Sequence, residues 1–278
     1  MTPLTFQDWA CGCGGWTEGL VQAGFKPVLG IDSWNIAAQS HHDNFAHLGC
    51  KTLVERMENI TPEMLPDTDV IVGSPPCPNS SIANKGPSAR TEDYWLLRVF
   101  LSLIEAKKPR WWALENGPLY WRDMPEELKA RIPKCVVLAA GDYLGWHLRK
   151  RAFFGNFPDP LPGLYGKNHM VKKAKFRTPR ASEHKKGDFP DNFARRFSTP
   201  TASEHHDYRT EGHRGLPVFW QYLQKRGQDV TLERMLWAMG FPPGYRLAGT
   251  RIDGIIQAGN AVCPPVAYAL GAAMMGGN

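Results

Sequence analysis

The chain has 278 residues, of which 42% are hydrophobic and 22% charged, a balance that fits a globular protein with a sizeable core and excludes a disordered or fibrous one. No window approaches the ~18 uninterrupted apolar residues of a membrane span. The N-terminus Met1-Thr2-Pro3-Leu4-Thr5-Phe6 lacks a basic stretch leading into an apolar run, so a cytoplasmic chain is expected. The net charge of +6 is unevenly spread: Gly155 to Val230 holds 14 Lys+Arg against 8 Asp+Glu, and the rest of the chain holds 19 of each. A localised basic segment suits a polyanionic partner, because neutralised phosphates release counterions.

Taken in chain order, short apolar strands are expected at Phe6–Ala10, Pro27–Ile31, Asp69–Gly73 and Arg110–Leu114, with a further one at Arg149–Phe154. Helices are expected at Gly19–Gly24, Asn35–Asn44 and Tyr94–Lys107. This alternation predicts an α/β fold with a mostly parallel sheet covered by helices on both faces. Residues 156–215 are rich in Pro, Gly, His, Lys and Arg, and Thr178-Pro179-Arg180-Ala181-Ser182-Glu183-His184 recurs as Thr199-Pro200-Thr201-Ala202-Ser203-Glu204-His205. Two copies do not make a solenoid. With helices expected at Leu232–Met239 and Val262–Met275, the α/β character returns. The organisation is therefore a first part of the core at 1–155, a small irregular basic region at 156–229 and a return to the core at 230–278.

Four groups of residues carry candidate chemistry. Ala10-Cys11-Gly12-Cys13-Gly14-Gly15 follows the first strand, where glycines let a cofactor approach backbone amides; the turn fits dinucleotide and methyltransferase folds alike. Asp32, at the end of the second strand, can accept hydrogen bonds from ribose hydroxyls or cap a helix. Gly73-Ser74-Pro75-Pro76-Cys77 runs from a buried strand into a stiff turn with a thiol at its tip, at the sheet edge where α/β folds bind ligands. Glu115 ends the next strand in Glu115-Asn116-Gly117, and Arg149 and Arg151 share one face of the strand after that. The other cysteines, Cys11, Cys13, Cys50, Cys135 and Cys263, are expected as buried thiols. No pair has CxxC spacing, so no metal site is expected.

In order and spacing, these motifs together with Gly240-Phe241-Pro242 and Gln257-Ala258-Gly259-Asn260-Ala261-Val262 resemble the cytosine-5 DNA methyltransferase family. The resemblance covers nearly all of the chain outside 156–228 and implies a Rossmann-like class I methyltransferase fold. It implies S-adenosylmethionine as methyl donor, double-stranded DNA as partner, a monomer, and a cognate restriction enzyme as a further possible partner. It also implies that Cys77 is the nucleophile at cytosine C6 and that a buried carboxyl at Glu115 serves N3. Arg151 would then hold the carbonyl at C2, while Arg149 contacts phosphate or orders the loop. The cofactor would lie against Ala10, Cys11, Gly12, Gly14, Gly15, Asp32, Ser33, Trp34, Asn59, Pro75, Asn260 and Ala261. The basic region would choose the DNA sequence.

The chain departs from the family pattern in several places. Ala10 replaces an aromatic residue, for which Trp34 is the expected substitute. Pro78 stands where Gln is usual after Pro-Pro-Cys, and His147 replaces another Gln ahead of the Arg-x-Arg strand. Glu233-Arg234 reverses the usual pair, and Asn59, or Glu58 in a shifted register, stands at an acidic position. The rival readings are the same reaction on cytosine in RNA, and a nucleic-acid-binding homologue with impaired catalysis.

Overall fold

The structure is a computed structural model and describes residues 2–76, 94–144, 149–163 and 231–276. Cys77, Pro78, His147, both copies of the repeat and nearly all of the 156–229 region lie outside the described residues.

Among the described residues, seven strands form one sheet: β1 (Thr5–Trp9), β2 (Lys26–Asp32), β3 (Lys51–Val54), β4 (Val70–Gly73), β5 (Trp111–Asn116), β6 (Lys134–Ala139) and β7 (Lys150–Asn156). Their spatial order is β3-β2-β1-β4-β5-β7-β6. β7 alone runs against the other six, antiparallel to β5 on one side and β6 on the other. Parallel strands buried on both faces read as continuous apolar runs rather than alternating ones, and all four residues of β4, Val70-Ile71-Val72-Gly73, are buried.

The chain builds outward from β1 through α1 (Gly15–Gln22), β2 and α2 (Asn35–Phe45) to the edge strand β3, then crosses back to β4 on the other side of β1. The order reverses between β1 and β4, so the loops after these two strands diverge and leave a crevice at their carboxyl ends. The Ala10–Gly15 turn and the start of the second loop at Ser74–Pro76 lie there. On one face of the sheet, Phe6, Val70, Val72 and Phe153 pack with Trp16 and Leu20 of α1. On the other, Trp9, Ile31, Ile71 and Leu114 pack with Leu97, Phe100 and Leu101 of α3 (Trp95–Lys107).

The short helices α4 (Pro118–Arg122), α5 (Glu126–Lys129) and α6 (Ala140–Leu144) link the later strands. After the basic region come α7 (Leu232–Met239), α8 (Arg251–Asn260) and α9 (Pro264–Gly276). α8 has no counterpart among the expected helices. It starts at a capping box in which Thr250 accepts from the Asp253 amide and Asp253 accepts from the Thr250 amide at 2.8 Å. α9 and Leu270 within it return to the first core cluster, against α1. Residues 157–163 also lie on the core: the Leu161 amide donates to the Ala269 carbonyl at 3.2 Å, and Lys134 pairs with Asp159. Among the described residues no helix is long and apolar enough to cross a membrane.

Candidate active site

The turn after β1 alternates left-handed residues: Ala10 at φ 54, Gly12 at φ 56 and Gly14 at φ 96. Only glycine adopts this region without a Cβ penalty, so Ala10 is held there by its surroundings. A Cβ on Gly14 would sit 2.3 Å from the Phe45 ring, and one on Gly15 would sit 2.2 Å from the Val262 carbonyl oxygen. A Cβ on Gly12 would meet nothing within 4 Å. The turn is thus closed behind and open at Gly12, toward the crevice. Asp32 ties it to β2: its carboxylate accepts from the Gly12 amide at 2.7 Å and from the Trp34 amide at 2.8 Å. Burial pushes the Asp32 carboxyl upward, with these amides pulling the other way. Its four lone-pair positions leave room for further donors. Trp34 is half-buried and Ser33 exposed at the start of α2. Asn59 is exposed and donates to Glu55 at 2.8 Å, while Glu58 pairs with Arg56.

Beneath the turn runs a buried polar chain that lies outside the four candidate groups. Thr17 donates to Asp8 at 2.8 Å, His41 Nε2 lies 3.0 Å from the Thr17 hydroxyl, and His41 Nδ1 lies 2.9 Å from the Thr52 hydroxyl. Asp8, Thr17 and His41 are fully buried. Because Thr17 spends its proton on Asp8, its oxygen accepts from Nε2–H, and Nδ1 accepts from Thr52. Desolvation raises the Asp8 carboxyl to about 7 and lowers the His41 imidazole to about 3. The imidazole has room only because β2 carries Gly30 at that point, where a Cβ would lie 2.4 Å from the ring. Two local signals point to this chain: a carboxylate inside the apolar strand of Phe6-Gln7-Asp8-Trp9, and a glycine inside a strand, which marks close approach.

On the other side of the crevice, the Asn116 amide donates to the Pro75 carbonyl at 2.9 Å, fastening the segment that leads to Cys77 to the end of β5. Glu115 is 5% exposed, and its Oε1 lies 2.9 Å from Arg151 Nε. The pair faces across the β5–β7 ladder, where Glu115 stands opposite Phe153 and next to Arg151's strand. Arg151 donates to the Lys150 carbonyl at 2.9 Å and remains partly exposed. Ser74 holds a buried hydroxyl oxygen without a partner among the described residues, at the root of the same loop.

Arg149 stands close enough to this pair to feel the charges of both Arg151 and Glu115. Its guanidinium is buried and donates to the Gly259 carbonyl at 2.7 Å and the Ala261 carbonyl at 3.1 Å, on either side of Asn260. Desolvation, with Arg151 nearby, lowers it to about 10. Arg149 immediately precedes β7, and its carbonyl accepts from the Ala140 amide at 2.8 Å. Of the five described cysteines, Cys11, Cys13, Cys50 and Cys263 are buried as expected and Cys135 is half-buried, none of them in a disulfide among the described residues, and burial pushes Cys13 up to about 12 and Cys263 to about 11. Among the described residues no group of His, Cys, Asp and Glu could hold a metal ion.

A profile of C-5 cytosine-specific DNA methylases matches residues 4–121. The type II methyltransferase M.HgiGI of Herpetosiphon aurantiacus is 33% identical over 110 residues, covering 39% of this chain and 86% of that protein. Type II methyltransferase M1.HphI of Haemophilus parahaemolyticus is 23% identical over 326 residues, 98% of this chain and 87% of the relative. The fold is shared with the S. pombe Dnmt2 methyltransferase, with a TM-score of 0.65, 15% identity and 99% of both chains covered. The matched span begins at β1 and ends within α4, so it contains both crevice loops and Glu115. On this correspondence, the chain belongs to the C-5 cytosine-specific DNA methylase family.

Proposed function

We propose that the chain transfers a methyl group from S-adenosylmethionine to C5 of a cytosine flipped out of duplex DNA, through a covalent adduct between Cys77 and C6. The observation that carries this reading is the Asn116–Pro75 hydrogen bond. It joins the segment two residues before Cys77 to the strand end bearing Glu115.

The donor that the family implies fits the β1–β2 side of the crevice. The open approach at Gly12 and the two-amide anchoring of Asp32 suit a nucleoside with ribose hydroxyls. Asp32 would accept from the ribose, and Ala10, Cys11, Gly12, Gly14 and Gly15 would line the methionine side. Ser33, Trp34 and Asn59 would border the adenine, Trp34 in place of the aromatic residue missing at Ala10. Pro75, Asn260 and Ala261 would close the site. When bound, this group supplies an electrophilic methyl on a sulfonium.

Cytosine C5 is a poor nucleophile until a thiolate adds at C6 and converts the ring to an enamine. Cys77 supplies that thiolate. Glu115, buried and paired with Arg151, holds a proton or hydrogen bond at N3 as charge builds on the ring. Arg151 has N–H groups beyond its ion pair with Glu115 and its bond to the Lys150 carbonyl for the carbonyl at C2. Once the methyl is on C5, a base removes the C5 proton and the thiolate leaves. The target atoms lie inside the duplex, so the base must leave the stack. The basic 156–229 region selects the sequence. Incubation with duplex DNA containing 5-fluorocytosine should yield a covalent complex that needs both Cys77 and S-adenosylmethionine. Methylation of a transfer RNA but not of duplex DNA would overturn the choice of substrate.

A further inference from the structure

The glycine turn is gripped by a residue from far along the chain. The Tyr245 hydroxyl donates to the Cys13 carbonyl, 232 residues away in sequence. The amide of the same Cys13–Gly14 peptide unit donates to the Cys11 carbonyl at 2.9 Å. Both ends of that peptide plane are therefore fixed. The adjoining Gly12 amide is fixed by Asp32 at 2.7 Å. The turn stacks left-handed residues at positions 10, 12 and 14, and such a backbone persists only where its surroundings over-determine it.

Tyr245 is itself held firmly. Its ring packs on Phe241 at 4.4 Å and Phe45 at 6.2 Å. The segment that carries it is stitched to α2: Asn44 donates to the Arg246 carbonyl at 2.8 Å and accepts from the Arg246 amide at 3.1 Å, and the Ala248 amide donates to Ser40 at 2.8 Å. Burial raises the phenol well above its ordinary range, so it stays a donor at any working pH. A Cβ on Gly14 would fall 2.9 Å from the Tyr245 oxygen, so the glycine and the tyrosine fit as a pair.

We propose that Tyr245 is a positioning residue for cofactor binding: through the Cys13 carbonyl it holds the glycine turn in the conformation that presents Gly12 to the crevice. This rests on the assignment of that turn to S-adenosylmethionine. It gives the C-terminal return a role beyond closing the site with Asn260 and Ala261.

Tyr245→Phe removes the hydroxyl and keeps the ring packing. Calorimetric titration with S-adenosylmethionine and with S-adenosylhomocysteine should show affinity lowered roughly tenfold, the worth of one buried hydrogen bond and its orphaned acceptor. KM for the cofactor should rise in parallel, while KM for duplex DNA stays within about twofold and kcat at saturating cofactor falls less than about threefold. Unchanged cofactor affinity in the variant, with tight binding by the natural protein, overturns the inference and leaves the site assignment standing. Equal losses in cofactor KM, DNA KM and kcat also overturn it, since they mark a general loss of structure. If the natural protein binds neither ligand, the assignment and the inference fall together.

Discussion

The two sides of the crevice are built by different means. On the β1–β2 side, the backbone does most of the shaping: three left-handed residues, two glycines pressed from behind, and a carboxylate held by amides. On the β4–β5–β7 side, side chains do it, with Asn116 on the Pro75 carbonyl and Arg151 against Glu115. A site that must admit a large nucleoside gains from a fixed concave backbone. A site that must move protons and stabilise charge needs ionisable groups in close company, where removal of one partner leaves the other buried and unpaired. The C-terminal return braces both sides, with Tyr245 and Val262 on the turn and the Gly259 and Ala261 carbonyls on Arg149.

This contrast can be broken by substitutions that should damage one side only. Cys77→Ser should have the largest effect, abolishing turnover while binding of duplex DNA and cofactor largely survives; equal loss of binding in a mobility-shift assay would make Cys77 a structural residue. Glu115→Gln should slow single-turnover methyl transfer by about 10²- to 10⁴-fold, the range for a lost proton-transfer group, with cofactor affinity unchanged. A near-normal rate would remove Glu115 from the N3 position.

Gly15→Ala probes the other side through stability. Its new Cβ meets the backbone of Val262, which cannot swing aside, and overpacking of this kind costs about 1–3 kcal/mol. Urea unfolding should show that loss, and an unchanged midpoint would mean the turn is looser than its contacts.

A dependence on pH sharpens the comparison further. Between about pH 4 and 7 the folded state keeps a proton on Asp8 that the unfolded chain has released, so this group makes stability fall as pH rises. Between about pH 3 and 6.5 the folded state refuses a proton that unfolded histidine takes, so His41 makes stability rise with pH. The two slopes offset where they overlap. Asp8→Asn should expose the His41 slope alone, a gain of about 1.4 kcal/mol per pH unit between pH 4 and 6.5 relative to the natural protein. Identical pH profiles for both proteins would show that Asp8 is ionised throughout.

The five expected strands all form, with ends displaced by one or two residues, because continuous apolar runs bounded by Gly, Pro and Asp are local features. β3 and β6 carry weaker local signals and are not among them. β3 has only four residues, and β6 passes from Cys135-Val136-Val137-Leu138 straight into α6 without a breaker. α1 begins at Gly15, four residues ahead of its expected start, because packing against Val262 outweighs the poor helix propensity of glycine.

Residue types and their order along the chain were sufficient to name the crevice loops, the carboxylates at the ends of β2 and β5 and the family they resemble. Chemistry demands particular side chains at particular strand ends, and those are written locally. Which groups meet was decided only in three dimensions. Arg149 reaches the Gly259 and Ala261 carbonyls, 110 and 112 residues on, and Tyr245 and Cys13, separated by most of the chain, share a hydrogen bond. Contacts across such distances depend on how helices and sheet pack, and no spacing rule along one strand or one turn encodes them.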